Sequence, residues 1–313
     1  MRRRPYRLFT TTAALTVAMV ALGGCQAQVH GASPVSSGPH LTVVAPLGTM
    51  APLPERPPDE PAATFVGLPE RARQATAQAE AAGAEITAAV LDRSTGQLVT
   101  NGNDRTIAIA SVVKVFIADD LLLQVAQGKT ELSPQDRQSL DVMLRSSDDS
   151  AAEVFWNRSG GSAIVNRVAD RYNLGSTRPP GNGRWFNTIS TATDLVRYYD
   201  MLLTGAGGLP AEQAAIILDN LAASTPTAPD GMVPGGVYPQ RFGIPEGLPG
   251  EPVAVKQGWM CCVGSDWMHL STGVIGADRR YVMAIGAMQP TGADTARQTI
   301  TDAVRGFFPE GRI

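Results

Sequence analysis

Ala110-Ser111-Val112-Val113-Lys114-Val115-Phe116-Ile117 opens an apolar stretch that reads as a helix from Ala110 to Ala126. Val112, Val115, Phe116, Leu122 and Leu123 supply a core-facing stripe. Positions three apart share a helix face, so the Lys114 amine can reach the Ser111 hydroxyl. A serine hydroxyl is a weak nucleophile until a neighbouring base takes its proton, and a desolvated lysine can become neutral enough to do so. Only three of the 26 basic residues are lysine: Lys114, Lys129 and Lys256. Arginine does not lose its proton in proteins and lysine does, which draws attention to the positions where lysine persists.

Outward from this helix the elements fall into an order. Pro69–Ala82 is rich in good helix formers and is followed by Gly83. Ile86–Leu91 and Gln97–Thr100 read as strands joined by a Ser94-Thr95-Gly96 turn. After Ala126 the helical patterns are Pro134–Leu144, Asp149–Trp156, Ser162–Tyr172, Thr193–Leu203 and Ala211–Leu221. Strand patterns return at Pro252–Lys256, Trp267–Ile275 and Tyr281–Met288, with Gly276–Arg280 as a hairpin turn whose Arg279 and Arg280 are expected to be solvated. Ala293–Phe308 closes as a helix. Strands split by a helical block predict an α+β fold: an antiparallel sheet flanked by N- and C-terminal helices, with an all-helical subdomain inserted at about 111–222.

Two further triplets stand at telling places. Ser147-Asp148-Asp149 precedes the second helix of the block, and Lys256-Gln257-Gly258 ends the first strand of the C-terminal group. With Ser111-Val112-Val113-Lys114 they resemble, in order and position, the S-x-x-K, S-D-N and K-T-G set of the serine β-lactamases and penicillin-binding proteins. The resemblance covers roughly residues 70–308 and is closest to the class A β-lactamase-like branch, including lipid-anchored lipoproteins of actinobacteria. It implies that Ser111 is the acylating nucleophile, Lys114 the adjacent amine and Ser147 a proton relay. It also implies that Asp149, Lys256, Gln257 and Gly258 border the substrate, and that the backbone N–H groups of Ser111 and of Met260 or its neighbour form an oxyanion hole.

The departures bear on activity. Asp149 replaces an amide, and an ionised carboxylate accepts hydrogen bonds without donating. It is expected to pair with Lys114 and keep it protonated. Gln257 replaces a hydroxyl residue that helps bind a substrate carboxylate, and its amide remains a donor. The loop Ser176–Thr193, where class A enzymes carry the hydrolytic glutamate, has no Asp or Glu; if Asn187 is the family's asparagine, Gly183 stands at the glutamate position. Without a general base, water is poorly activated against an acyl-enzyme. The expectation is therefore a Ser-Lys-Ser site that is not an efficient β-lactamase. The rival readings are a non-catalytic lipoprotein binding peptidoglycan peptide or a protein, and a serine esterase or D,D-peptidase.

The ends of the chain indicate a compartment. Arg2, Arg3, Arg4 and Arg7 precede an apolar run from Leu8 to Leu22, too short for a comfortable span, and then Leu22-Gly23-Gly24-Cys25. This resembles a lipoprotein signal: residues 1–24 as signal peptide, lipid on Cys25, and a Pro-rich tether over 25–68 before the domain at 69–313. The expected location is the outer face of the cell membrane, with the membrane as partner through that lipid. Apolar residues make up 43% and charged residues 18%, which fits a globular domain. The formal charge of -3 leaves no basic excess for nucleic acid. Removing residues 1–24 takes four arginines and no acid, so the remainder is more acidic still. Cys261 and Cys262 are adjacent, either as two thiols or as a vicinal disulfide at the cleft rim. Trp259 is expected to line the cleft; Trp185, Phe186 and Trp267 are expected to pack in the core. His269 is the lone histidine near the cysteines, so neither a metal centre nor a cofactor is expected.

Overall fold

Five antiparallel strands form the central sheet in the computed structural model, which describes residues 62–313. The signal peptide, Cys25 and nearly all of the tether lie outside the described residues. The described residues belong to one unit, Arg56–Ile313. The strands are β1 (Glu85–Asp92), β2 (Gln97–Thr100), β7 (Val253–Val263), β8 (Asp266–Ile275) and β9 (Tyr281–Gln289), in the order β2-β1-β9-β8-β7. β9 is buried at every position and β8 at all but its first two, which requires cover on both faces.

One cover is α1 (Leu68–Ala81) with α9 (Ala293–Phe307). Gly306 lets the two helices approach closely, since a Cβ there would come within 2.7 Å of the Ala75 Cβ. The other cover is the helical insertion: α2 (Val113–Ala126), α3 (Pro134–Arg145), α4 (Asp149–Arg158), α5 (Ala163–Tyr172), α6 (Ala192–Thr204) and α7 (Ala211–Ala222). Two apolar cores result, one on each side of the sheet. α2 runs through the middle of its core and is buried on all sides from Val113 to Leu122, charged residues included. Its buried carboxylates are matched from α5: Arg167 clamps Asp120 with two bonds of 2.7 Å, and Arg171 and the Tyr172 hydroxyl bond Asp119. The helix that carries Lys114 is thereby fixed against its neighbours. Among the described residues no helix is long and apolar enough to cross a membrane.

The predicted order of elements and the α+β class match the structure. Three details differ. The strand expected to stop at Lys256 continues to Val263, because Gly258, Trp259 and Met260 pair in register with Leu270, His269 and Met268; a bulge follows between Met260 and Val263. The expected helix at Ala110 starts instead as a 3-10 turn, Ala110–Val112, before α2. Arg280 is not simply solvated: it forks onto the fully buried Asp92, with Nε and Nη2 at 2.8 and 2.7 Å. Small elements add to the sequence reading: the pair β3 (Ile107–Ala108) and β4 (Ile189–Ser190), the hairpin β5 (Thr227–Pro229) and β6 (Val237–Pro239), and the short α8 (Ile244–Gly247).

Candidate active site

Ser111 lies where the chain leaves the β3–β4 pair and enters α2. Ile109 is held by its N–H to Thr188 O at 2.8 Å. Ala110 adopts φ 42°, a left-handed conformation that costs a non-glycine residue of order 1–3 kcal/mol and is retained only where surroundings impose it. That kink leaves the Ser111 side chain partly exposed at the head of a buried helix. β7 passes directly beside it. A Cβ at Gly258 would sit 2.5 Å from Ile109 O, so this close approach requires glycine.

Lys114, wholly buried, has four acceptors within reach: Ser111 Oγ at 2.9 Å, Ser147 O at 2.7 Å, Ser147 Oγ at 3.1 Å and Asp149 Oδ1 at 2.5 Å. An ammonium has three protons, so one of these contacts receives none from it. Lys256 Nζ bonds Ser147 Oγ at 2.8 Å and Gln257 O at 3.1 Å. Ser147 Oγ thus accepts from Lys256 and lies within reach of Lys114, whose longest contact it is at 3.1 Å. Ser147 is held at φ 58° just before Asp148, whose side chain caps α4 by accepting from Ala151 N at 2.7 Å. Ser111, Lys114, Ser147, Asp149 and Lys256 are therefore brought together between the sheet and the helical insertion.

The cleft in front of them has a volume of about 360 Å³. Along β7, Lys256, Gly258 and Met260 share the face toward α2, and Gln257 and Trp259 point the other way. Met260 lines the cleft. Gln257 corrects the sequence reading: its side chain is buried away from the cleft and its amide donates to Phe242 O at 2.7 Å. Cys261 and Cys262 are joined as a disulfide and line the rim. Trp259 borders the cleft at its strand position, but its ring lies on the opposite face of β7, against the second core, stacked on Tyr238 with ring centroids 3.6 Å apart. The loop 176–193 presents Trp185, not Gly183, to the amine. The indole centroid lies 4.7 Å from Lys114 Nζ and its Nε1 donates to Glu153 Oε2 at 3.0 Å. Trp185 belongs to the buried core, as the sequence suggested, and also borders the cleft; Phe186, expected in the core, is 37% exposed and lines the cleft, and Gly231 was overlooked. The β5–β6 hairpin brings Gly231 so near that a Cβ would meet Asp149 Oδ2 at 2.6 Å. The one available signal was Asp230-Gly231, a turn dipeptide. Among the described residues no group of three His, Cys, Asp or Glu is placed to hold a metal ion.

No family model matches the chain. The Mycobacterium tuberculosis and Mycobacterium bovis proteins named "Putative lipoprotein LppW" are each 58% identical to it over 323 aligned positions, spanning 100% of both chains. This chain belongs to the LppW family. Solved structures with the same fold include PBP-A (18% identical, TM-score 0.63, 81% of this chain and 98% of that one). A class A β-lactamase from Mycobacterium abscessus (21%, 0.60, 76% and 98%) and a β-lactamase from Chitinophaga pinensis (16%, 0.61, 79% and 100%) are also similar. The fold of this LppW-family chain is thus that of the class A β-lactamases and penicillin-binding proteins.

In this LppW-family site two influences compete at Lys114. Burial pushes its pKa down, the Asp149 carboxylate pushes it back up, and burial prevails. Lys256 is pushed well below the ordinary lysine range by burial first and by the neighbouring Lys114 charge second. His269 is pushed down to about 3, by burial and then by Arg297; its Nε2 meets the Tyr238 hydroxyl at 2.7 Å, a structural role behind Trp259. The arrangement couples a partly exposed hydroxyl to a buried, titratable amine and a second hydroxyl. It offers no carboxylate from the 176–193 loop.

Proposed function

We propose that this protein is a lipid-anchored envelope protein whose Ser111 accepts an acyl group and releases it slowly. The observation that carries this reading is Lys114 Nζ 2.9 Å from Ser111 Oγ with the Trp185 indole packed on the amine. Burial lets Lys114 shed its proton and act as the base. Ser111 Oγ then attacks a carbonyl carbon while its proton passes to Lys114. As the bond to the leaving atom breaks, Ser147 hands that atom a proton and is resupplied by Lys114 or Lys256. Hydrolysis needs a base to activate a water against the acyl carbon, and the 176–193 loop brings the Trp185 indole to Lys114 and no carboxylate. General-base catalysis contributes ~10²–10⁴-fold, so its loss leaves the acyl-enzyme long-lived.

Intact-protein mass spectrometry tests this. A neutral fluorophosphonate should add to Ser111 in the wild type and not in Ser111→Ala, and Ser111-dependent turnover of a chromogenic cephalosporin should be negligible. Robust turnover would reveal a deacylating base elsewhere. Absence of any adduct would favour a second reading, which the 2.5 Å Lys114–Asp149 pair supports: a cleft that binds a wall peptide or a protein without chemistry.

The lipid anchor rests on the Arg-rich start, the short apolar run, Leu22–Cys25 and the name of the relatives. Residues 1–24 would be removed, and the 25–68 tether would join the lipid on Cys25 to the domain at the outer face of the membrane. Cys25→Ala should move the protein from the membrane to the soluble fraction; unchanged partitioning would exclude the anchor.

A further inference from the structure

Among the residues lining the cleft none is lysine, arginine or histidine, and the one carboxylate is Asp149, whose side chain is half exposed. Arg184 and Arg145, the arginines nearest in sequence to the lining residues, are not among them; the Arg145 guanidinium donates instead to Asn220 Oδ1 at 2.6 Å. Both site lysines are buried behind the hydroxyls. Lys114 meets Asp149, and Lys256 bonds Ser147 Oγ and Gln257 O. The Gln257 amide, the remaining donor from the Lys256-Gln257-Gly258 triplet, is turned to the other face and bonded to Phe242 O. Apart from Ser111, Ser147, Asp149 and the neutral amide of Asn187, the lining is apolar: Trp185, Met260, Met232 and Phe186 contribute to it, the last two with 50% and 37% exposure, and Val233 beside Met232 is 55% exposed. An anion entering here would leave water, find no cation presented to it and face Asp149.

We infer that the cleft takes uncharged acyl donors with apolar flanks, neutral esters or thioesters, and disfavours donors with a carboxylate beside the scissile bond. The inference deepens the acylation reading and rests on it for chemistry, though not for binding. It separates this site from β-lactams and from peptides that end in a free carboxylate. Gly231 sharpens it: the β5–β6 hairpin rests against Asp149 Oδ2, so the wall that meets the leaving group combines a carboxylate with the Met232 side chain.

The test is a matched pair: a hippuryl thioester whose leaving group is thioglycolate, and the same compound with that carboxylate capped as a methyl ester. Acylation of the full protein is followed by loss of thioester absorbance. With each rate divided by that compound's rate with a small neutral amine in solution, which removes the difference in leaving-group pKa, the methyl ester should exceed the free acid in second-order acylation by about tenfold or more, the scale of a like-charge clash at an uncompensated site. Met232→Arg, at an exposed hairpin position, should narrow that gap by raising the rate with the acid. Equal rates, or preference for the acid, would overturn the inference. Tryptophan fluorescence titration of Ser111→Ala with the two compounds separates it from the chemistry. Tighter binding of the methyl ester without fluorophosphonate labelling of wild-type Ser111 supports the neutral cleft and overturns the acylation reading. Equal binding together with labelling does the reverse.

Discussion

Asp149 sets the working state of Lys114. Its carboxylate lies 2.5 Å from the amine and raises the lysine's pKa against the downward push of burial. Asp149→Asn removes the opposing charge, so Lys114 should lose its proton at lower pH. Fluorophosphonate labelling of Ser111 then rises at neutral pH, about tenfold for each unit the amine falls, and the midpoint of the labelling–pH curve moves to lower pH. An unmoved midpoint would show that Lys114 is not the base. Lys114 and Lys256 were legible in the sequence because lysine is so rare in it. The orientation of Gln257 was misread, although strand alternation carried it: a Lys256 that faces Ser147 turns its neighbour away. Trp185 and Gly231 were not legible as site residues, because a loop and a hairpin bring them there from 74 and 120 residues beyond Ser111.

At the scale of elements, the geometry of the Ser111 site depends on how closely β7 passes the 3-10 turn at Ala110–Val112. Alanine normally suits a strand interior better than glycine. At position 258 the added methyl meets a backbone oxygen at 2.5 Å, which no side-chain rotation relieves. Gly258→Ala should therefore destabilise the protein by about 1–3 kcal/mol, the usual cost of overpacking, and slow labelling of Ser111. Urea unfolding and labelling rates check both; a neutral or stabilising effect would mean that β7 and the turn are looser than the structure shows. The sequence revealed β7 but not its length. Gly258 and the adjacent cysteines suggest an ending, and only pairing with β8 carries the strand past them to the cleft rim.

For the molecule as a whole, the order of elements carried the fold. Helix, two strands, a helical block, three strands and a helix leave few arrangements that bury strands as apolar as β8 and β9 on both faces. The Asp92–Arg280 pair was beyond reach, since 188 residues separate the partners and a hairpin arginine ordinarily points to water. Burial pushes the Asp92 carboxyl up, and the Arg280 fork with the Ser94 N–H outweighs it, so its pKa ends below the usual range. A depressed carboxyl adds stability above its unfolded value of ~3.9, and that contribution disappears as pH falls through the folded value. Arg280→Ala strands a buried charge and should cost about 3–5 kcal/mol at neutral pH. Urea curves for wild type and variant should converge as the medium is acidified through the carboxylate range. A gap that stays constant would mean that Arg280 acts through packing alone.

Under the proposed acylation of Ser111, the seat of Trp185 over Lys114 has a consequence for dose. A serine that is charged once and cleared slowly behaves as a stoichiometric recorder: its output saturates at one acyl group per chain. Doubling the number of chains doubles the signal, and lengthening the exposure beyond saturation adds nothing. Such a protein is tuned by its copy number and its rate of renewal.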